Sequence, residues 1–430
     1  MKAWPLLRAV RIVTRKDSGA FRQLVFDTIT RTKWSIRCAR WIHRWLGKSW
    51  LSSLLVAGYG LKSYLAVDIP GGSAPYLAVG KYRNEGRQFD HLERCIGSAH
   101  IRRVSLGLSA LFTRGTLRAF LQAGLHGRDV RAYLRLVHRT NGKHSFLVSC
   151  RVASTLGYYA RFTRELPQSG AQVVLTSSDS NPYAMGLAYA ARSQNLPTVY
   201  IPHGHIPEGP PTLDFDLNLL DGPALRTVYE EMGPIQGAVV FKGAEGQYRP
   251  MNTTGLQDAG NLTLGIFMSL IVDWPRFARL LRGLQEHVQP KRILLRLHPN
   301  KVVRDPATQE ALRGIPSLEV SEGTEILLKD AEQCDLVVAG NTSCHLTLLK
   351  YGVPTVYLHG MDAVPHDFYR FIQHRIIPAI QEPDALSISA VRDFYEAPDW
   401  RERFRFFDPS YAADQAALDR DVGRAIHDLL

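Results

Sequence analysis

The chain has 430 residues, 45% of them apolar and 21% charged, as in an ordinary soluble globular protein. At this length two domains are expected, because single cores stop growing near ~250–300 residues. Five scattered cysteines (Cys38, Cys95, Cys150, Cys334, Cys344) form no C-x-x-C pair, and neither a zinc-finger spacing nor H-E-x-x-H occurs. A disulfide framework is therefore disfavoured, and a reduced cytosolic compartment fits better.

The net charge of +12 is concentrated in residues 1–50, where twelve Lys/Arg face only Asp17 and Asp27, a local +10. The body is nearly neutral. Charge alone does not decide between a nucleic acid and a membrane as the partner of such an arm. The aromatics do favour one. Trp34, Cys38, Trp41 and Trp45 recur at helical spacing beside a stripe of Lys33, Arg37, Arg40, Arg44 and Lys48. An apolar, Trp-rich face next to a cationic one suits a helix lying in the plane of an anionic membrane surface. The apolar run from Trp50 to Leu61 is broken by Ser52, Ser53, Gly58 and Gly60, and falls short of the ~20 residues a bilayer requires. No convincing signal-peptide cleavage site is present, so the expectation for residues 1–60 is an arm resting on a membrane rather than crossing it.

From Tyr64 the pattern becomes mixed α/β. SYLAVDIP reads as a strand and PYLAVGKYRNEGRQFDHLERCI as strand, loop and helix, with Lys81, Arg83 and Glu85 in a polar strand-end loop available to an anionic acceptor. Residues 101–165 read as largely helical. The stretch from Gln172 to Gly204 reads as one βαβ unit, its helix opened by Pro182 with Ser180 or Asn181 as cap. Its strands end in Asp179 and in His203-Gly204. LNLLDG, PALRTVYEEMG and GAVVFKG make a second strand–helix–strand unit. Asp214-Phe215-Asp216 has the form of a short metal clamp, but stands with no other carboxylate cluster, and no metal is expected there.

Residues 244–262 are polar and Gly-rich and serve as the expected linker between a first domain over 61–243 and a second over 263–408. In the second, KRILLRLHP, SLEVSEG, DLVVAGNTS and VPTVYL alternate with helical runs, the pattern of a parallel sheet whose ligands sit beyond the carboxyl ends of its strands. Strand alternation puts Arg296 and His298 on one side, and Asn341-Thr342-Ser343 opens a helix. An imidazole, a guanidinium fork and the hydroxyls and N–H groups of a helix start together make a phosphate site. A helix over 409–430 closes the chain.

In motif layout the chain resembles the GT-B glycosyltransferases of bacterial surface-polysaccharide assembly, among them capsular Kdo transferases, bacterial sialyltransferases and CDP-glycerol glycerophosphotransferases. The carrying residues are His203-Gly204, Arg296-Leu297-His298-Pro299 and Asn341-Thr342-Ser343. The third departs from the S-D-Y-S-S form of the glycerophosphotransferases, and the sialyltransferase carboxylate pair has no clear counterpart. The resemblance implies two Rossmann-like domains around a cleft and a cofactor-free, metal-independent transfer from a nucleotide-sugar donor. The acceptor would be lipid-linked or a growing polysaccharide at the inner face of the plasma membrane, with no nucleic acid as partner. His298, Thr342 and Ser343 would bind the donor phosphate, and His203 or Asp179 would act near the acceptor. The alternatives are a CDP-polyol phosphotransferase and a non-catalytic scaffold of polysaccharide assembly.

Overall fold

Short runs of Val, Leu, Ile and Tyr form strands buried on both faces, which is what a parallel sheet covered by helices requires. The computed structural model describes residues 8–14, 41, 50–97, 101–107, 145–244, 246–269, 272–298, 310, 312–315, 317–321, 327–362 and 367–430. In the first domain the strands are β1 (Val67–Asp68), β2 (Tyr76–Val79), β3 (Ile101–Leu106), β4 (Val173–Thr176), β5 (Thr198–Tyr200), β6 (Asp214–Leu220) and β7 (Gln236–Phe241). They lie in the order β1-β3-β2-β4-β5-β6-β7, all parallel except β1, which runs antiparallel to β3. Every residue of β2 and β4 is buried. Helices α1 (Trp50–Leu65), α2 (Arg83–Cys95), α3 (Ser145–Ser169), α4 (Pro182–Arg192) and α5 (Pro223–Glu230) surround this sheet.

The second domain holds β8 (Thr263–Phe267), β9 (Arg292–Arg296), β10 (Leu318–Ser321), β11 (Leu336–Ala339), β12 (Thr355–Leu358) and β13 (Ala379–Ile380). Its order, β10-β9-β8-β11-β12-β13, is wholly parallel. Counted from β8 this is 3-2-1-4-5-6, the doubly wound arrangement that binds ligands where the order reverses, here between β8 and β11. The first sheet reverses in the same way between β2 and β4. Helices α6 (Trp274–Val288), α7 (Leu327–Ala331), α8 (Cys344–Lys350), α9 (Ile388–Glu396) and α10 (Trp400–Phe407) belong to this half. The last helix, α11 (Gln415–His427), crosses back. Its Val422 and Ile426 join Tyr76, Phe89 and Leu92 in a first-domain core, and Tyr76 Oη lies 3.2 Å from His427 Nδ1.

Several expectations change. At the start of the run 101–165, Ile101–Leu106 is strand β3 rather than helix; from Ser145 the run is helical, in α3, and residues 108–144 lie outside those described. β3 keeps a strand's mixed burial, with Ile101, Arg102 and Val104 inside and Arg103 and Ser105 outside. In SYLAVDIP, Ser63–Leu65 are the end of α1 and only Val67–Asp68 are strand, so the expected boundary at residue 60 falls inside a helix. The helix expected over 409–430 begins at Gln415, after turns. The segment following His359 runs in turns where it is described. Of the expected membrane arm, Trp34, Arg37, Arg44 and Trp45 lie outside the described residues, while Trp41 is 61% exposed. Residues 8–14 are helical and not free: Ala9 and Val13 are buried in the first-domain core and Arg8 pairs with Asp214.

The chain thus passes between the domains twice, once after β7 and once after α10, and the two passages bind each other. Ala244 N–H donates to Asp408 Oδ1 at 3.1 Å. Buried Lys350 donates to Ala244 O (2.6 Å) and Ser410 Oγ (2.7 Å), and its Nζ lies 3.3 Å from Asp408 Oδ2.

Candidate active site

At the first reversal, β4 runs out into Ser177-Ser178-Asp179-Ser180, all buried. β5 leads to His203, which is half-buried. His203 Nδ1 lies 2.7 Å from Ser177 O. A carbonyl can only accept, so Nδ1 carries the proton and a neutral ring presents Nε2 as an acceptor. Asn84 from α2 donates to His203 O at 3.4 Å and steadies the loop. Asp179 is 3% exposed and accepts from Tyr229 Oη at 3.0 Å, so it lies beneath the rim where His203 stands on it.

The loop after β2 separates into two kinds of residue. Lys81 and Arg83 are exposed at the strand end. Glu85 faces inward and is fully buried: Oε2 accepts from the N–H of Lys81 (2.6 Å) and Tyr82 (3.0 Å), and Oε1 from Tyr183 Oη (2.6 Å). Its carboxylate ties α2 to α4, which corrects its expected place against an acceptor. Glu85→Ala should lower stability by about 2 kcal/mol, since three donors lose their acceptor. Urea unfolding would measure the loss.

At the second reversal, β11 ends in Gly340-Asn341-Thr342-Ser343. Asn341 is a clamp: its N–H donates to Asp362 Oδ2 (2.6 Å), its Nδ2 to Tyr357 Oη (2.7 Å), and its Oδ1 accepts from Phe368 N (2.9 Å). A Cβ on Gly340 would stand 2.3 Å from Asp362 Oδ2, so only glycine lets that carboxylate reach the loop. Beneath it, buried His345 donates from Nε2 to Gly340 O (3.0 Å) and accepts at Nδ1 from Thr355 Oγ1 (2.9 Å). Burial lowers its pKa to about 4, which keeps the ring neutral and this pattern fixed. Asn341, expected at the phosphate, therefore shapes the loop. Thr342 Oγ1 accepts from Cys344 N at 3.3 Å, and Ser343 occupies the N-cap of α8 without a side-chain cap bond.

Arg296 also differs from expectation. It is 7% exposed, and its guanidinium pairs with Asp330, whose Oδ2 also accepts from Ser321 Oγ at 2.8 Å. It braces β9, β10 and α7, while His298 stands half-buried beyond the end of β9. The Asp214-Phe215-Asp216 carboxylates are likewise engaged. Asp214 pairs with Arg8 and Arg192 and accepts from Tyr189, and Asp216 accepts from Thr198 N and Oγ1, both at 2.8 Å.

The two reversals face each other. A Cβ built on Gly204 would lie 4.0 Å from Ser343 Oγ. Glu208 N–H donates to Phe368 O at 2.9 Å, and Arg370 pairs with Glu208 (2.8 Å) and Glu231 (2.6 Å) across the same gap. The Glu231 hydrogen bond leads in raising the Arg370 pKa. Below them His205 is enclosed by Tyr369, Phe371 and Phe407, with Nδ1 3.6 Å from Asp221 Oδ2. Burial pushes the Asp221 pKa up, but Lys242 at 2.7 Å and His205 outweigh it and hold the carboxyl at about 2. That is below its ordinary 3.8, so the stabilisation, about 2 kcal/mol, is complete above pH ~4 and is lost as pH falls through ~2. Acid titration of unfolding should show this slope in the native chain and lose it in Asp221→Asn.

Two Rossmann-like domains, each reversing strand order at a shared cleft, define the GT-B fold class. No family profile and no curated protein matches the chain in sequence. Among solved structures it is similar to one described as a UDP-N-acetylglucosamine 2-epimerase from Listeria monocytogenes, with 10% identity, 83% of this chain and 96% of that chain covered, and a TM-score of 0.51. Looser likenesses are to the glycosyltransferase SnogD from Streptomyces nogalater (15% identity, 83% and 99% covered, TM-score 0.41) and to the wall teichoic acid polymerase TagF (11% identity, 88% and 94% covered, TM-score 0.46). At these identities the likeness concerns the fold, and the function rests on the site.

Proposed function

We propose that the protein is a metal-independent, cofactor-free glycosyltransferase moving a sugar from a nucleotide-sugar donor to a lipid-linked or growing bacterial surface polysaccharide. The observation that carries this reading is the approach of Gly204 to Ser343, which sets His203 of one domain against the hydroxyl-bearing loop of the other. His203 Nε2 takes the proton from an acceptor hydroxyl as that oxygen bonds to the anomeric carbon. The bond from that carbon to the donor phosphate breaks with its electron pair going to phosphate. His298 and the hydroxyls of Thr342 and Ser343 then stabilise the departing charge. Between the two candidate bases, His203 is favoured because it reaches the rim with its acceptor nitrogen set by Ser177, whereas Asp179 is buried against Tyr229.

Lys81 and Arg83, exposed at the end of β2, meet an anionic acceptor. Placement on the inner face of the plasma membrane is supported by the basic arm of residues 1–50 and by exposed Trp41, Leu55 and Tyr59. Among the described residues no helix is long and apolar enough to cross a membrane.

A panel of CMP-, CDP-, UDP- and GDP-linked donors, with and without lipid acceptor, tests the reading. Release of nucleotide together with a glycosylated product is expected from one sugar nucleotide. Transfer of a polyol phosphate, or transfer unchanged in His298→Ala, would overturn it. Anionic vesicles should sediment with the protein, and binding to duplex nucleic acid in their place would refute the membrane assignment.

A further inference from the structure

We propose that His91, Cys95 and Asp419 form a zinc-type metal site that fastens the C-terminal helix α11 to α2 of the first domain. His91 and Cys95 are one turn apart on α2 and so share a face. Gly423 brings α11 against the end of α2 so closely that a Cβ there would stand 2.3 Å from Cys95 O. Asp419, one turn earlier on α11, then meets the pair.

The ligand atoms of all three lie within 4.8 Å of one another. His91 Nε2 is 3.6 Å from Cys95 Sγ and 3.7 Å from Asp419 Oδ1. Tetrahedral zinc with bonds of about 2.0–2.3 Å has ligand–ligand edges of about 3.3–3.7 Å, so the two edges at His91 already match those of an ion, and the Cys95–Asp419 edge has at most to close from 4.8 Å.

The donor set has the right chemistry. One thiolate, one imidazole and one carboxylate suit zinc or cobalt rather than magnesium or calcium. Thiolate and carboxylate together cancel the charge of a divalent ion, which matters because Arg94, Lys242 and Lys350 add positive potential nearby. On binding, the Cys95 proton leaves to solvent and the sulfur lone pair bonds the metal.

The carboxylate is already aimed. Gln415 Nε2 donates to Asp419 Oδ1 at 2.8 Å and to Lys242 O at 3.0 Å, while Gln415 Oε1 accepts from Lys350 Nζ at 3.3 Å. Such outer-shell orientation is typical of metal-bound carboxylates. It also joins this cluster to the buried Lys350–Asp408 pair where the two chain passages meet. None of the residues assigned to transfer belongs to the cluster. The competing reading is a triad joined only by hydrogen bonds, the thiol donating to His91.

Cobalt(II) titration of the full chain, tag-free and stripped of metal by chelation, separates the two. A sulfur-to-cobalt charge-transfer band saturating at one ion per chain is expected, reversed by zinc. It should vanish in Cys95→Ser and persist in Cys334→Ser. Asp419→Asn, at a half-exposed position, should weaken binding by about tenfold or more. Zinc should raise the melting temperature of the native chain and not that of Cys95→Ser. Absence of the band in the native chain, or its survival in Cys95→Ser, would establish the hydrogen-bonded triad instead.

Discussion

His203→Asn should lower kcat by about 10²–10⁴ while leaving donor KM within a fewfold of native, since general-base removal costs that much and the donor phosphate is assigned to the other domain. Asparagine is the informative substitution. Its amide can still donate to the Ser177 carbonyl that Nδ1 reaches now, so the loop is held while the acceptor nitrogen is lost. Asp179→Asn is the control: its Oδ2 receives Tyr229 in the interior, so its main effect should fall on stability. Steady-state kinetics with the identified donor would decide. Were His203→Asn to retain more than half the native kcat, with Asp179→Asn the inactive variant, the two roles would be exchanged.

The largest effect on stability is expected at Lys350. Its ammonium contacts Ala244 O, Ser410 Oγ and Asp408, and Lys350 and Asp408 are 2% and 0% exposed. Burial lowers its pKa, with Asp408 opposing that effect. Lys350→Met keeps the apolar stem but leaves Asp408 buried without its counter-charge, and should cost about 3–5 kcal/mol. Pairing it with Asp408→Asn should recover part of the loss, because the stranded charge is then gone. Urea midpoints of the two single variants and the double variant give the coupling, and strictly additive losses would show that no buried pair exists.

Strand ends were the legible part of this sequence. VVLTSSDS, RLHP and VVAGNTS each announce where an apolar run stops and polar groups begin, and the second sheet follows the pattern read from Lys291 to Leu358. What periodicity does not carry is the direction of a strand-end side chain once a distant partner captures it. Arg296 and Asn341 have the right chemistry for phosphate, yet Asp330 holds the guanidinium, and Tyr357 and Phe368, 16 and 27 residues from Asn341, hold its amide. Glu85 is similar, its position set by Tyr183 on another helix. His345 and Lys350 lay unnoticed inside CHLTLLKYG, where a His and a Lys on a short helix give no sign of full burial. Cys95 and Asp419 sit on opposite flanks of the chain, and no local spacing can pair them. β3 was missed because IRRVSL has only partial alternation, a weak signal beside the helical runs that follow.

The double passage between the domains limits how the cleft can work. Because the segments at Ala244 and Asp408 are bonded to each other, they mark a single line about which the halves can turn. Sliding or separation along the cleft would tear that line, whereas rotation about it leaves it whole. The remaining freedom is opening and closing, and Arg370 with its two glutamates is a further tie between the halves that such a rotation has to accommodate. For the proposed transferase, such a rotation would admit and release both substrates through one movement rather than through two separate gates.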